Sequence, residues 1–161
     1  MGFYRGPNIV TDGLVFAMDP GSERCYDGTT AVNSLVGSNT GTLTNGVTYQ
    51  SINGGVFDFD GTDDYIAFPD DTNLNNQTLT MESWVKLDST LYQDAFIFEK
   101  GQVNTQYSNF VATNGYLYFR TQGLSTTDKT LNLTSYTSAG LWTHITCTYG
   151  AGIKYIYING V

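Results

Sequence analysis

Charge is scarce in this chain, and what there is leans one way. Asp and Glu number 15 against 7 Lys and Arg, so the formal charge is −8 and only 14% of the residues are charged. A typical domain carries about 25%. With so few cations and no basic cluster, the chain is a poor partner for nucleic acid, where affinity comes from Lys and Arg on phosphates. The same balance argues against anionic membranes. No run approaches the roughly 18 apolar residues that a spanning helix needs. The opening "MGFYRGPNIVTDG" has no apolar stretch of the secretory kind, and Gly6 stands where a myristoylation motif has Ser or Thr. The expectation is a chain made in a reducing cytosol, with no secretion signal.

Histidine and cysteine are equally sparse. His144 is the sole histidine and falls in mid-strand, so it reads as a structural or surface group rather than a catalytic base. The two cysteines, Cys25 and Cys147, have no metal-ligand spacing. Cys147 alternates in phase with Ile145, which makes it a small core residue. A Cys25–Cys147 disulfide stays open. Proline occurs 3 times and glycine 18 times, which means many turns and little rigid linker.

Aromatic residues are plentiful at 14%, with Tyr prominent, and the apolar fraction of 40% suffices for a core. The length of 161 residues fits one domain, with residues 1–11 as an N-terminal arm. A globule of this size buries roughly 70% of its unfolded surface. No segment has a helical period, whereas apolar and polar residues alternate almost everywhere. "DGLVFAMD" (12–19) reads as a first strand. Residues 20–55 read as loops with weak strands, including "TGTLTNGVTY". "GGVFDFDGTDDYIAFP" (54–69) reads as a hairpin turning at "GTD". In "TLTMESWVKL" (78–87), Leu79, Met81, Ser83, Val85 and Leu87 share one face; Thr80, Glu82, Trp84 and Lys86 share the other. "AFIFEKG" (95–101) follows. "NFVATNGYLYFRTQG" (109–123) is a hairpin at Asn114-Gly115, and a further strand lies near 129–134. "LWTHITCTYGAGIKYIYING" (141–160) closes the chain as a last hairpin. About ten short strands separated by Gly and Asn turns predict an antiparallel two-sheet jelly-roll sandwich.

Two groups of side chains carry chemistry on this reading. Trp84 lies with Glu82 on the polar face of its strand, and Tyr155 and Tyr157 alternate with Ile156 and Ile158. Aromatic faces beside hydrogen-bonding groups are what a sugar requires. Trp142 shares a face with His144. Both Trp84 and Trp142 equally read as core residues, if the two faces are phased the other way or a loop covers them. Asp60, Asp63 and Asp64 sit at one turn, and Asp58 shares a strand face with Asp60, so that both point to solvent together; hard cations such as calcium take several such oxygens. Turn chemistry alone also accounts for Asp63-Asp64, because Asp bonds its own backbone.

The ordered set "DGLVFAMDPG", "GTLTNGVTY", "GGVFDFDGTDDYIAFP", "LTMESWVKL", "FEKG" and "GLWTHITCTYGAGIKYIYING" resembles the concanavalin A-like lectin/glucanase superfamily, laminin G-like branch. The resemblance covers nearly the whole chain. It implies the jelly-roll sandwich, a glycan-binding activity, and in many relatives calcium at the sandwich rim. The opening "GPNIVTDGLVFAMDPG" further resembles laminin G-like structural proteins of tailed bacteriophages. In the family, the Tyr-x-Asn-Gly strand is followed by further strands that complete both sheets. The expectation is therefore a domain lacking its C-terminal strands, truncated or completed by a neighbouring subunit. Glycoside hydrolases of this fold carry two or three carboxylates on one strand face, and a retaining mechanism needs two of them about 5 Å apart. Here "TMESWVKL" offers Glu82 alone, so no enzymatic activity is expected.

The expected function is a non-enzymatic virion structural, decoration or fibre protein on a phage surface, with a lectin-like domain for glycans. A bacterial surface adhesion or polysaccharide-binding module is the alternative, and a glycosidase the second alternative. Expected partners are other virion subunits in an assembly and host-surface glycans, with neither nucleic acid nor membrane. Calcium is the one cofactor left open.

Overall fold

The structure is a computed structural model, described for residues 9–75, 78–88, 95–101, 107–112, 114–121 and 125–161. The chain divides into two compact units, 1–74 and 75–161. Among the described residues, all of the regular structure is strand apart from three single 3-10 turns.

In the first unit, β1 (Ala31–Asn33), β2 (Thr40–Thr44) and β5 (Tyr65–Ala67) form one antiparallel sheet in the order β1-β2-β5, while β3 (Thr48–Gln50) pairs with β4 (Val56–Asp58). Two expectations are corrected here. Residues 12–19 form no strand. The Leu35 N–H donates to the Ala17 carbonyl at 2.8 Å, and Val15 and Met18 stand exposed. The segment 54–69 is no hairpin either: Phe57 pairs with Tyr49, whereas Ile66 pairs with Leu43. Residues 59–64 cross from one sheet to the other. Asp60 Oδ1 accepts from the Thr62 and Asp63 amides, and Asp64 Oδ2 accepts from the Asp60 amide, so the carboxylates shape the crossing. Asn45-Gly46 joins β2 to β3 in the other sheet, so it does not close a hairpin. Asn45 sits at φ 66°, and its Nδ2 donates to the Asp63 carbonyl at 2.8 Å, tying the two crossings together. Inside β2, Gly41 lies under the ring of Phe68, where a Cβ would come within 2.8 Å. Phe68 in turn meets Phe16 edge to face at 4.9 Å.

The second unit is a sandwich. One sheet runs β10-β9-β8-β7, built from β7 (Ala95–Lys100), β8 (Tyr107–Val111), β9 (Tyr116–Thr121) and β10 (Ser125–Asn132). The other runs β12-β11-β6, built from β6 (Leu79–Lys86), β11 (Trp142–Gly150) and β12 (Ile153–Ile158). All pairings are antiparallel. Val111, Leu117 and Phe119 from the first sheet and Ile145, Cys147, Tyr149 and Ile158 from the second form one buried cluster with Leu133. Burying each large apolar side chain contributes roughly 1.5–3 kcal/mol. β10 begins earlier than expected and ends in a 3-10 turn at Leu133–Ser135, where Asn132 Oδ1 accepts from the Thr134 amide. Cys25 and Cys147 are both free and buried. Burial pushes the Cys147 thiol up to about 12, partly offset by a hydrogen bond from the Asn109 side chain. Lys154 shares the inward phase of Ile156 and Ile158 and is buried, its Nζ 5.8 Å from the Phe119 ring centre. Desolvation lowers its pKa.

The expected hairpins at Asn114-Gly115 and at 150–153 are present. Asn159 and Gly160 both adopt positive φ, 54° and 85°, and Ile158 exchanges two backbone hydrogen bonds with Val161. That is the two-residue turn which Asn-Gly favours. The turn between β11 and β12 has the same form, with Ala151 at φ 50° and Gly152 at φ 79°. Ala, unlike Asn, has no local hydrogen bond to offset a left-handed backbone. Ala151→Asn is therefore expected to stabilise the protein by about 1 kcal/mol, seen as a melting temperature a few degrees higher. An unchanged or lower melting temperature would contradict this turn geometry.

Candidate glycan-binding face

β11 is the middle strand of its sheet, and its alternation sets two faces. Thr143, Ile145, Cys147 and Tyr149 point into the sandwich and are buried. Trp142, His144, Thr146 and Thr148 point out. The register then fixes their neighbours. Trp142 stands opposite Lys86, and His144 opposite Trp84. Thr146 lies between Glu82 and Tyr157, and Thr148 between Thr80 and Tyr155. The four residues expected to bind sugar, Trp84, Glu82, Tyr155 and Tyr157, thus come from the two outer strands onto one outer face.

These rings are open to solvent. Trp84 is 65% exposed, Tyr155 48%, Tyr157 37% and Trp142 36%. Trp84 lies over the His144 imidazole, ring centres 5.0 Å apart and tilted by 34°. Tyr155 and Tyr157 stack along β12 at 6.1 Å. His144 Nε2 stands 3.8 Å from Glu82 Oε2, and the His144 amide donates to Asn159 Oδ1 at 3.0 Å. The Asn159-Gly160 turn is therefore fastened to the row that holds Trp84. The cross-strand neighbour of Glu82 is a threonine, not a second acid. Rings that present apolar faces among hydroxyls, an imidazole and a carboxylate suit the alternating C–H and O–H surface of a sugar.

The four aspartates separate into two groups. Asp60, Asp63 and Asp64 bring one carboxylate oxygen each to within 4.8 Å of one another. Asp64 Oδ1 is buried without a hydrogen-bond partner and faces Gly46, whose Cβ position lies 3.3 Å away. An orphaned oxygen beside two more carboxylates fits a hard cation. Asp58 is not in this group; its Oδ2 accepts from Gln50 Nε2 at 2.6 Å. The shared strand face expected for Asp58 and Asp60 fails because β4 ends at Asp58.

A second aromatic group went unnoticed in the sequence. On the four-stranded sheet, Phe110 has Phe96 on one side at 5.0 Å and Tyr118 on the other at 5.1 Å, and the Arg120 guanidinium sits 4.5 Å above it. Arg120 also pairs with Asp128 at 2.9 Å. Phe110 is nearly fully buried there, so these rings pack on one another. The alternation of Tyr116, Tyr118 and Arg120 with Leu117 and Phe119 was the available signal. In the first unit, Tyr26 and Tyr49 meet at 5.0 Å beside an open cleft of about 880 Å³ that Glu23 and Asp27 also line.

Residues 60–161 match the sequence family described as the concanavalin A-like lectin/glucanases superfamily. The chain belongs to that superfamily. Its fold is also similar to a crystal structure of an S-layer domain-containing protein (residues 221–444) from Clostridium thermocellum. The two share 25% identity, with 91% of this chain and 69% of that one covered and a TM-score of 0.53. No curated protein matches the chain.

An exposed Trp contributes little to folding, whereas a core Ile contributes much. Trp84→Ala is expected to change unfolding free energy by less than about 0.5 kcal/mol, and Ile145→Ala to cost about 2–5 kcal/mol, in urea titrations. A cost above about 2 kcal/mol for Trp84→Ala would make it a packing residue.

Proposed function

We propose that this chain is a non-catalytic, glycan-binding module displayed on a surface, with the outer face of β6, β11 and β12 as its recognition surface. The observation that carries this is Trp84, 65% exposed at the centre of that face and laid on His144, with Tyr155 and Tyr157 open on the neighbouring strand. Membership of a lectin/glucanase superfamily supports a saccharide ligand. The absence of catalysis is supported by Glu82, which stands opposite Thr146 and beside Trp84 on its strand, without the second carboxylate that glycoside hydrolysis uses. A glycan array tests the proposal. The native protein should retain at least one glycan, Trp84→Ala should weaken it about tenfold, and the glycan should stay intact. Retention unaffected by Trp84→Ala would contradict it, as would hydrolysis abolished by Glu82→Gln.

Two surfaces fit such a module. Likeness to an S-layer domain-containing protein favours a bacterial cell surface, where the chain would act in adhesion or polysaccharide binding. Display on a phage virion, beside other virion subunits, is supported by the resemblance of "GPNIVTDGLVFAMDPG" to phage structural proteins. Fractionation of the source separates them, since the protein would sediment with the cell envelope in one case and with phage particles in the other.

Calcium belongs to the proposal as a bound ion of the first unit, held by Asp60, Asp63 and Asp64. Millimolar calcium should raise the melting temperature by a few degrees, and Asp64→Asn should remove that shift. An unshifted melting temperature in the native protein would exclude the site.

A further inference from the structure

The outer face is organised in rows. Reading along β11, the rows are Lys86–Trp142, then Trp84–His144, then Glu82–Thr146–Tyr157, then Thr80–Thr148–Tyr155. Each row carries one aromatic ring of Trp or Tyr, and each carries at least one polar side chain beside it. Successive outward residues on a strand are about 6.8 Å apart, so the four rows extend about 20 Å. That length exceeds a single sugar ring and has room for several.

The rings stand in solvent on one side of a sheet. A ligand lying on them is contacted from one side only, so each sugar contributes little. A pocket, by contrast, encloses most of its ligand and gains its affinity from one unit. A one-sided platform reaches useful affinity by adding contributions along a chain.

Charge narrows the ligand further. Glu82 is central, 3.8 Å from His144, and Lys86 stands at the end of the face in the Trp142 row. The rows contain no arginine, and the chain as a whole carries −8. A uronate or sulfated polymer would meet net repulsion with no guanidinium to pair its acids. Hydroxyl groups instead find threonine hydroxyls, a carboxylate and an imidazole.

We infer that this face takes a linear, uncharged polysaccharide laid across successive rows, not a terminal sugar and not an acidic glycan. This rests on the glycan-binding function proposed above and specifies its ligand class.

Calorimetric titration with oligosaccharides of increasing length tests it. The probes are β-1,4-linked glucose, mannose and xylose oligomers and β-1,3-linked glucose oligomers, each from dimer to hexamer, with oligogalacturonates of equal length. For at least one neutral series, affinity should rise about tenfold or more between dimer and pentamer and then level off. Oligogalacturonates should bind at least about tenfold more weakly. Tyr155→Ala, two rows from Trp84, should lower affinity for the hexamer and leave the dimer unaffected. If a glycan binds in a Trp84-dependent way but dimer and hexamer bind alike, the inference is overturned while the glycan-binding function stands. Tighter binding of the galacturonates has the same consequence. If no oligosaccharide binds, and the array retains none either, both fall.

Discussion

Everything in the second unit depends on the strict alternation of β11. It is paired along both edges, so its side chains have only two directions available, into the sandwich or out of it. Ile145, Cys147 and Tyr149 take the inward places and join the core with Phe119, Leu117 and Ile158. Because the period is two, burying Ile145 obliges His144 and Thr146 to face outward. A slip of one residue would expose the core and bury His144, which strongly opposes any other register. The same constraint passes through the ladders to both neighbours and carries Trp84 and Glu82 on β6, and Tyr155 and Tyr157 on β12, to one surface. That outer face is thus a by-product of core packing, held in place by the residues of the buried cluster.

Two smaller fastenings refine it. The Asn159-Gly160 turn ends β12, and the Asn159 side chain returns to the His144 backbone, fixing the row on which Trp84 rests. On the inner side, Lys154 occupies a core phase beside the Phe119 ring, so the inner face is not wholly apolar. Its ammonium is costly to bury, and its lowered pKa reflects that cost.

What could be read from the residues alone followed the strength of local patterning. "TLTMESWVKL" alternates without a break over its whole length, and β6 has the expected faces. The late hairpin was equally legible, because alternation on both sides brackets a glycine-rich turn. The all-β sandwich followed from those segments together. Pairing partners were less legible. "VFDF" and "YIAF" are each good strands, and a turn lies between them, yet they pair with β3 and β2 instead of each other. Nothing in a short strand specifies which edge it meets; the crossing at 59–64 is set by side chains of Asp60, Asp64 and Asn45 that bond across 18 residues in one case. "DGLVFAMD" has strand-like composition but no ladder partner. Asp58 was grouped with Asp60 by a strand phase that lapses where β4 ends. For the candidate face, the four residues were legible individually, whereas their convergence needed the register. Phe110 was missed because every residue of β8 is buried, so its pattern gives no sign of the face it occupies, whereas Arg120 lies on β9, whose alternation carried the signal.

The protein has two tryptophans, Trp84 and Trp142, and both lie on the outer face of the three-stranded sheet. Their indole N–H resonances therefore report on that face without assignment of the whole spectrum. The most direct measurement is a two-dimensional nitrogen–proton NMR titration with a neutral hexasaccharide that binds. The account predicts that both indole signals shift and saturate together, with the Trp84 signal moving more because it stands at the centre. Saturation of binding with both indole signals unmoved would place recognition elsewhere and contradict the account.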